Sequence, residues 1–429
     1  MVLSRQVLAL ALALVTRGAS GQTPRAIPTW PERAWGQAVA PDGVRPIGEA
    51  GVLRSWRAPV DVHVLPGVSA ETARAVLADA ESVMNALEAQ TGLALPLPDG
   101  TRGGTPSFDL YLRPADPRRA TAAGGEATVD ALAYGAYWDR ATAFGAVEAS
   151  ADPVVRRRRV AQAIAEGCVY GAKADHPIGF VRAMGAALAR RATGDALDAD
   201  EVREFQREPS RAWWSDDARS PAAQRGAAVV LDAMAARWDD DRGTFLRGLL
   251  EAPVQRTPPG WARLWDEPDV MEVLKRVTRE EARGFWGALL ATAGARVLGD
   301  PALAAAPART AQWSELPAWS LVTGVAPTGQ AAMALDLGDA PLRAAVGVWV
   351  HASPYHRWMA SVLRLGRDGR LIGTIDSELI STGEWSAQVD ALENVAKVVV
   401  VVVSAGDERL DPDGEPIRDG WVAMNVGRL

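Results

Sequence analysis

Residues Arg156–Gly171 read RRRRVAQAIAEGCVYG. On a helix, Val160, Ala161, Ile164 and Cys168 fall on one apolar arc, while Gln162 and Glu166, four residues apart, share the opposite side. Taken alone this is an amphipathic surface helix with a solvated polar face, and Arg156–Arg159 is its solvated start. What surrounds it decides more. Val60–Leu65 alternates apolar and polar residues, as a half-buried strand does, with His63 on its polar side. Ser69 then suits a helix N-cap; Ala73, Val76, Leu77, Ala80, Met84 and Leu87 follow at helical spacing, and Gly92 ends the run. Phe108, Leu110 and Leu112 form a second alternating strand closed by Pro114. Gly124–Gly125 marks a loop, and Ala141–Val147 is strand-like. The order strand, helix, strand, strand, helix predicts an α+β fold with a mixed sheet carrying helices.

Beyond the helix, residues 179–294 read as mostly helical, best over Phe180–Arg191, Ala222–Trp238 and Asp269–Leu290, with Pro253–Gly260 interrupting. Asp300–Pro317, rich in Pro and Ala, reads as a linker between independently folding units. The pattern then changes. Met333/Leu335/Leu337, Val346/Val348/Val350, Met359–Leu365, Leu371–Ile375, Val398–Val403 and Trp421–Val426 suit strands, with Asp368-Gly369 a hairpin turn and Val398–Val403 buried on both faces. Strands at this spacing predict an antiparallel β-sandwich of about 110 residues. The expected organisation is a signal peptide over 1–20, an irregular N-terminal arm over 21–59, an α+β domain over 60–299, a linker over 300–317 and a sandwich over 318–429.

The chain has 429 residues and a formal net charge of −7, so no basic excess points to a nucleic-acid partner. Its 48% hydrophobic content allows a sizeable core, and its 16 Trp read mainly as packing bulk. Arg5, the apolar run Val7–Val15 and Gly18-Ala19-Ser20 have the order of a secretory signal peptide with cleavage near Ser20, so export to the periplasm or beyond is expected. The run is shorter than the about 20 residues a membrane span needs, and no later stretch exceeds it. Cys168 is the single cysteine, which rules out an intrachain disulfide.

From Val60 to about Leu290 the order of elements resembles secreted zinc metallopeptidases of the glutamate-ligand (gluzincin) type. In that family a strand, a long helix, further strands and an edge strand precede a helix bearing H-E-x-x-H. The resemblance implies a zincin-like domain and sets Gln162-Ala163-Ile164-Ala165-Glu166 at the motif. Gln162 then stands at the first zinc histidine, Ala163 at the general-base glutamate and Glu166 at the second histidine. Catalytic zinc needs three protein ligands and an open position. Carboxamide is a poor ligand, alanine takes no proton from water, and no Asp or Glu lies between His176 and Gly194, where the family places its third ligand. The implied protein is a degenerate peptidase with no metal and no cofactor.

Other constellations carry less. Asp239-Asp240-Asp241 and Asp411-Pro412-Asp413-Gly414 suit turns or caps better than calcium loops. His351 and His356 flank Ser353-Pro354, where a surface loop competes with a two-histidine metal site. Trp213-Trp214 suits packing before a binding cleft, and Cys168, on the apolar arc, a buried thiol. Neither G-x-S-x-G nor a phosphate-binding glycine loop is present. The expected role is binding a peptide, protein or cell-envelope component. The alternatives are an active hydrolase with an unrecognised metal site and a structural envelope protein.

Overall fold

A computed structural model describes residues 25–26, 45–100, 102–115, 125–134, 140–150, 152–174, 176–214, 220–239, 243–251, 270–278, 284–299, 302–338, 340, 344–406 and 419–429. The expected signal segment, Asp240–Asp241 and Asp411–Gly414 lie outside these residues. Among the described residues, helices combine with three sheets, the last two forming a β-rich C-terminal region. Among the described residues no helix is long and apolar enough to cross a membrane.

The first sheet joins β1 (Arg25–Ala26), β2 (Gly51–Arg54), β3 (Val60–Val64), β4 (Phe108–Arg113), β5 (Glu126–Tyr134) and β6 (Arg140–Glu148) in the order β1-β5-β6-β4-β3-β2. β3, β4 and β6 run parallel, while β2 and β5 are antiparallel to their neighbours. The N-terminal arm, expected to be irregular, thus contributes β1 and β2. β5 begins directly after the Gly124–Gly125 loop, in a stretch where no strand was expected.

Between β3 and β4 runs α1 (Ala70–Thr91). Ser69 caps it by accepting from the Thr72 amide, and Gly92 ends it in the left-handed conformation at φ 61°. The chain then enters α2 (Pro153–Ala172), capped by Asp152, and α3 (Ile178–Thr193). Helices α4 (Ala199–Gln206), α5 (Pro221–Gly226), α6 (Ala228–Trp238), α7 (Thr244–Glu251), α8 (Val270–Val277) and α9 (Gly284–Leu298) follow. Val62 and Leu110 from the sheet, Val76 and Leu87 from α1, Ile164 from α2 and Leu188 from α3 share one apolar core, which continues through Leu231, Leu249 and Leu289.

The C-terminal region pairs a four-stranded sheet, β13-β10-β15-β8, with a five-stranded one, β12-β11-β14-β9-β7. The strands are β7 (Arg309–Gln312), β8 (Ala318–Val325), β9 (Gln330–Asp336), β10 (Val346–Ala352), β11 (Arg357–Leu365), β12 (Leu371–Asp376), β13 (Glu384–Val389), β14 (Lys397–Gly406) and β15 (Gly420–Arg428). β7 lies inside the stretch read as a linker and pairs in parallel with β9. The β11–β12 hairpin turns at Asp368-Gly369, with Gly369 at φ 77°. Val398, Val400 and Val402 of β14 face Val348, Met424 and other residues of the opposing sheet. Val399, Val401 and Val403 face the other way, into the core shared with α9. The valine run is continuous because both of its faces are buried.

Candidate functional site

Helix α2 is buried on all sides over its second half. Every residue from Val160 to Gly171 is inside, including Gln162 at 4% exposure and Glu166 at 1%. The expectation of a solvated polar face is therefore overturned: α3 and the start of β5 cover it. Gln162 Nε2 donates to Glu166 Oε1 at 2.6 Å and to the Arg182 carbonyl at 3.2 Å. Both partners are acceptors, which fixes the carboxamide orientation. Glu166 Oε2 accepts from the Ala127 amide of β5 at 2.7 Å. Burial pushes the Glu166 carboxyl up to about 7, against the opposing pull of these hydrogen bonds and of Arg182 and Arg225.

Across from this pair α3 presents Gly185. A Cβ there would lie 2.6 Å from Glu166 Cγ and 2.8 Å from Gln162 Nε2, so the helices meet at van der Waals closure. Ala163 is fully buried against the sheet, where a Cβ on Gly145 would come within 3.1 Å of it. The three positions do not fit a zinc ion. The carboxamide nitrogen is committed as a donor, both Glu166 oxygens are engaged, and no space faces them for a third ligand or a water.

The arginine run is likewise not a solvated start. Arg156 pairs with Asp79 of α1 at 2.7 Å, Arg157 with Asp195 at 2.8 Å, and Arg158 with Asp198, the α4 N-cap, at 2.5 Å. Arg159 reaches the Glu148 carbonyl of β6 at 3.4 Å, and burial lowers its pKa. Successive helical residues point about 100° apart, so the four arginines reach α1, β6 and, twice, the connection between α3 and α4.

On the sheet face away from α1 and α2 lies a charged network that sequence pattern alone did not show. His63, expected on a polar strand side, is buried; its Nε2 meets Asp109 Oδ1 at 2.8 Å and its Nδ1 meets Glu49 at 3.2 Å. Its ring stacks on Tyr111 at 4.6 Å. Burial opposes a charge on His63, but Asp109 and Glu49 outweigh it and hold its pKa above the ordinary value. Arg45 binds Asp109, Asp99 and Asp130 together, the last at 2.8 Å. Burial pushes Asp99 up to about 6; burial would also raise Asp109, but His63 and Arg45 hold it below its usual range. In the sequence Asp109 shows only as the polar position between Phe108 and Leu110, as any half-exposed strand would carry.

The remaining candidates resolve one by one. His351 is exposed beside Glu384 and Trp421, whereas His356 is buried with Nδ1 3.0 Å from Ser404 Oγ. The structure does not bring the two histidines together. Trp213 and Trp214 are both core residues. Burial pushes the Cys168 thiol up to about 12, the state of an inert packing residue. Asp239 accepts from the Phe245 amide at 2.9 Å and pairs with Arg191, a capping role at the start of α7.

No protein-family model and no curated protein matches the chain. Among solved structures, 28% of it aligns with 96% of the pre-peptidase C-terminal domain of a collagenase from Bacillus anthracis, at 7% identity and a TM-score of 0.18. A quarter of it (25%) aligns with 15% of the enzymatically active domain of tailspike protein 4 of bacteriophage CBA120, at 9% identity and a TM-score of 0.19. A β-glucosidase from Paenibacillus barengoltzii aligns over 29% of this chain and 12% of its own, at 10% identity and a TM-score of 0.15. Similarity at this level adds nothing to the fold or the site.

Proposed function

We propose that this is an exported, non-catalytic protein of zincin-like form, which works by binding a peptide, protein or cell-envelope component. The observation that carries the reading is the closure of α2 over Gln162, Ala163 and Glu166. A helix that would hold metal in a peptidase serves here as packing, with a carboxamide–carboxylate pair in place of ligands and Gly185 pressed against it. The order β3-α1-β4-β5-β6-α2 supports the zincin-like part of the reading. So does the position of β5, an antiparallel neighbour of β6 whose Ala127 amide meets the helix at Glu166.

The test is zinc content and peptidase activity of the purified wild type, measured together. Substoichiometric zinc and no chelator-sensitive cleavage are expected. Stoichiometric zinc with metal-dependent hydrolysis would make the protein an enzyme and sink the proposal.

A further inference from the structure

The outer face of the four-stranded sheet carries exposed aromatic surface beside a groove of about 580 Å³, bordered by Pro317, Trp349, Asn425, Gly427 and Arg428. Strand register puts Trp349 opposite Asn425, and Asn425 opposite Trp319, in one row across β10, β15 and β8. Two strand spacings separate the indoles, about 10 Å. Trp319 is 63% exposed and Trp349 43%. The benzo ring of Trp349 takes the space that a side chain at Gly347 would fill, so it lies along the sheet, and a Cβ on Gly427 would come within 3.3 Å of it.

Guanidinium groups lie near both tryptophans. Arg428 donates to the Trp313 carbonyl at 3.0 Å with its guanidinium 5.3 Å from the Trp313 ring, and Arg309 donates to the Trp319 carbonyl at 2.7 Å. Neither makes an ion pair among the described residues, although the chain as a whole is acidic at −7. Glu384, on the neighbouring strand β13, faces His351 at 3.4 Å, towards the opposite end of the strands from Arg428. Two uncompensated guanidinium groups beside exposed indoles complement an anion that also has an apolar face.

We propose that this face binds an acidic polysaccharide, its sugar rings stacking on Trp349 and Trp319 and its carboxylates meeting Arg428 and Arg309. A sugar ring offers C–H groups to an aromatic face while its hydroxyls stay in water or reach Asn425. An extended peptide fits less well. The backbone groups of β10 and β15 are used within the sheet, so a peptide across the face would cover its own amides without partners; peptides add at sheet edges instead. The proposal deepens the binding role given above and rests on that reading for the choice of an envelope-type ligand.

The experiment is calorimetric titration of the full chain with oligogalacturonate, with neutral cello-oligosaccharide and polyglutamate as comparators. Saturable binding of oligogalacturonate is expected, weakened about tenfold in Trp349→Ala and in Trp319→Ala and about fivefold in Arg428→Gln. Thermal melts identify any variant that fails to fold, and the highly exposed Trp319 keeps the test available if Trp349→Ala is one. No binding, equal affinity for the neutral sugar, or equal affinity for polyglutamate would overturn the proposal. So would self-association of the wild type that Trp319→Ala abolishes, which would make the face a contact between copies. None of these results bears on zinc or cleavage, so failure here and failure of the non-catalytic reading are separate outcomes.

Discussion

A carboxyl group held at about 7 by burial makes Glu166 a site where pH acts on stability. Its ordinary value is 4.5, so the folded protein keeps a proton that the unfolded chain gives up. That contribution is full below the ordinary value and is lost as pH rises through about 7. Wild type should therefore lose stability relative to Glu166→Gln between about pH 5 and about pH 8, by about 1–3 kcal/mol, as read from denaturant midpoints. Equal pH profiles for the two proteins would show that the carboxylate is solvated after all. Arg45 sets the opposite problem, since removing it leaves Asp99 without an ion pair among the described residues, Asp109 with His63 alone and Asp130 with Arg102 alone. Arg45→Ala should cost about 3–5 kcal/mol near neutral pH, and less near pH 5, where Asp99 takes up a proton. A flat loss across that range in urea melts would contradict the sharing of Arg45 among them. Neither group announced itself in the sequence. His63 alternates with Val62 and Val64 as any solvent-facing residue would, and its partners arrive from another strand and from the arm preceding β2. Charge pairing of this kind is tertiary and leaves no periodic trace.

At the scale of elements, the α2–α3 crossing depends on Gly185. Gly185→Ala sets a methyl group at 2.6 Å from Glu166 Cγ, inside contact distance and with no flexible end to yield. Overpacking of this kind costs about 1–3 kcal/mol, and the loss should show as a lower melting temperature with unchanged far-ultraviolet circular dichroism. A neutral result would mean that the helices are further apart than described. Elements whose ends have local chemistry were legible: Ser69 and Gly92 bound α1, and Asp368-Gly369 turns the β11–β12 hairpin. β5 was not, because Gly124-Gly125 reads as a loop and alanines blur its alternation into Ala127, Ala131 and Ala133. The burial of α2 was misread for a physical reason. Periodicity reports which residues are polar, and a hydrogen-bonded Gln–Glu pair can be buried where one apolar residue would otherwise go.

For the whole molecule, the switch from helical to alternating periodicity located the β-rich region, but it said nothing about what covers that region's outer sheet. Met359, Leu363, Val399, Val401 and Val403 point from it into the core shared with α9, and the β8–β9 turn is tied to Ser210 through the Ala326 amide at 2.9 Å. A fragment spanning Trp313–Leu429 lacks β7 and bares that apolar face. It should elute from size exclusion as oligomers or aggregate, where the full chain does not. A monomeric fragment with a cooperative melt would show the outer face to be dispensable. The valines of β14 also set how the protein opens on long timescales. A strand that serves two cores cannot release its amides by local fraying of either half, so hydrogen exchange along Val398–Val403 should occur only through global unfolding. Its amides should be the slowest in the chain and should all respond alike to mild denaturant.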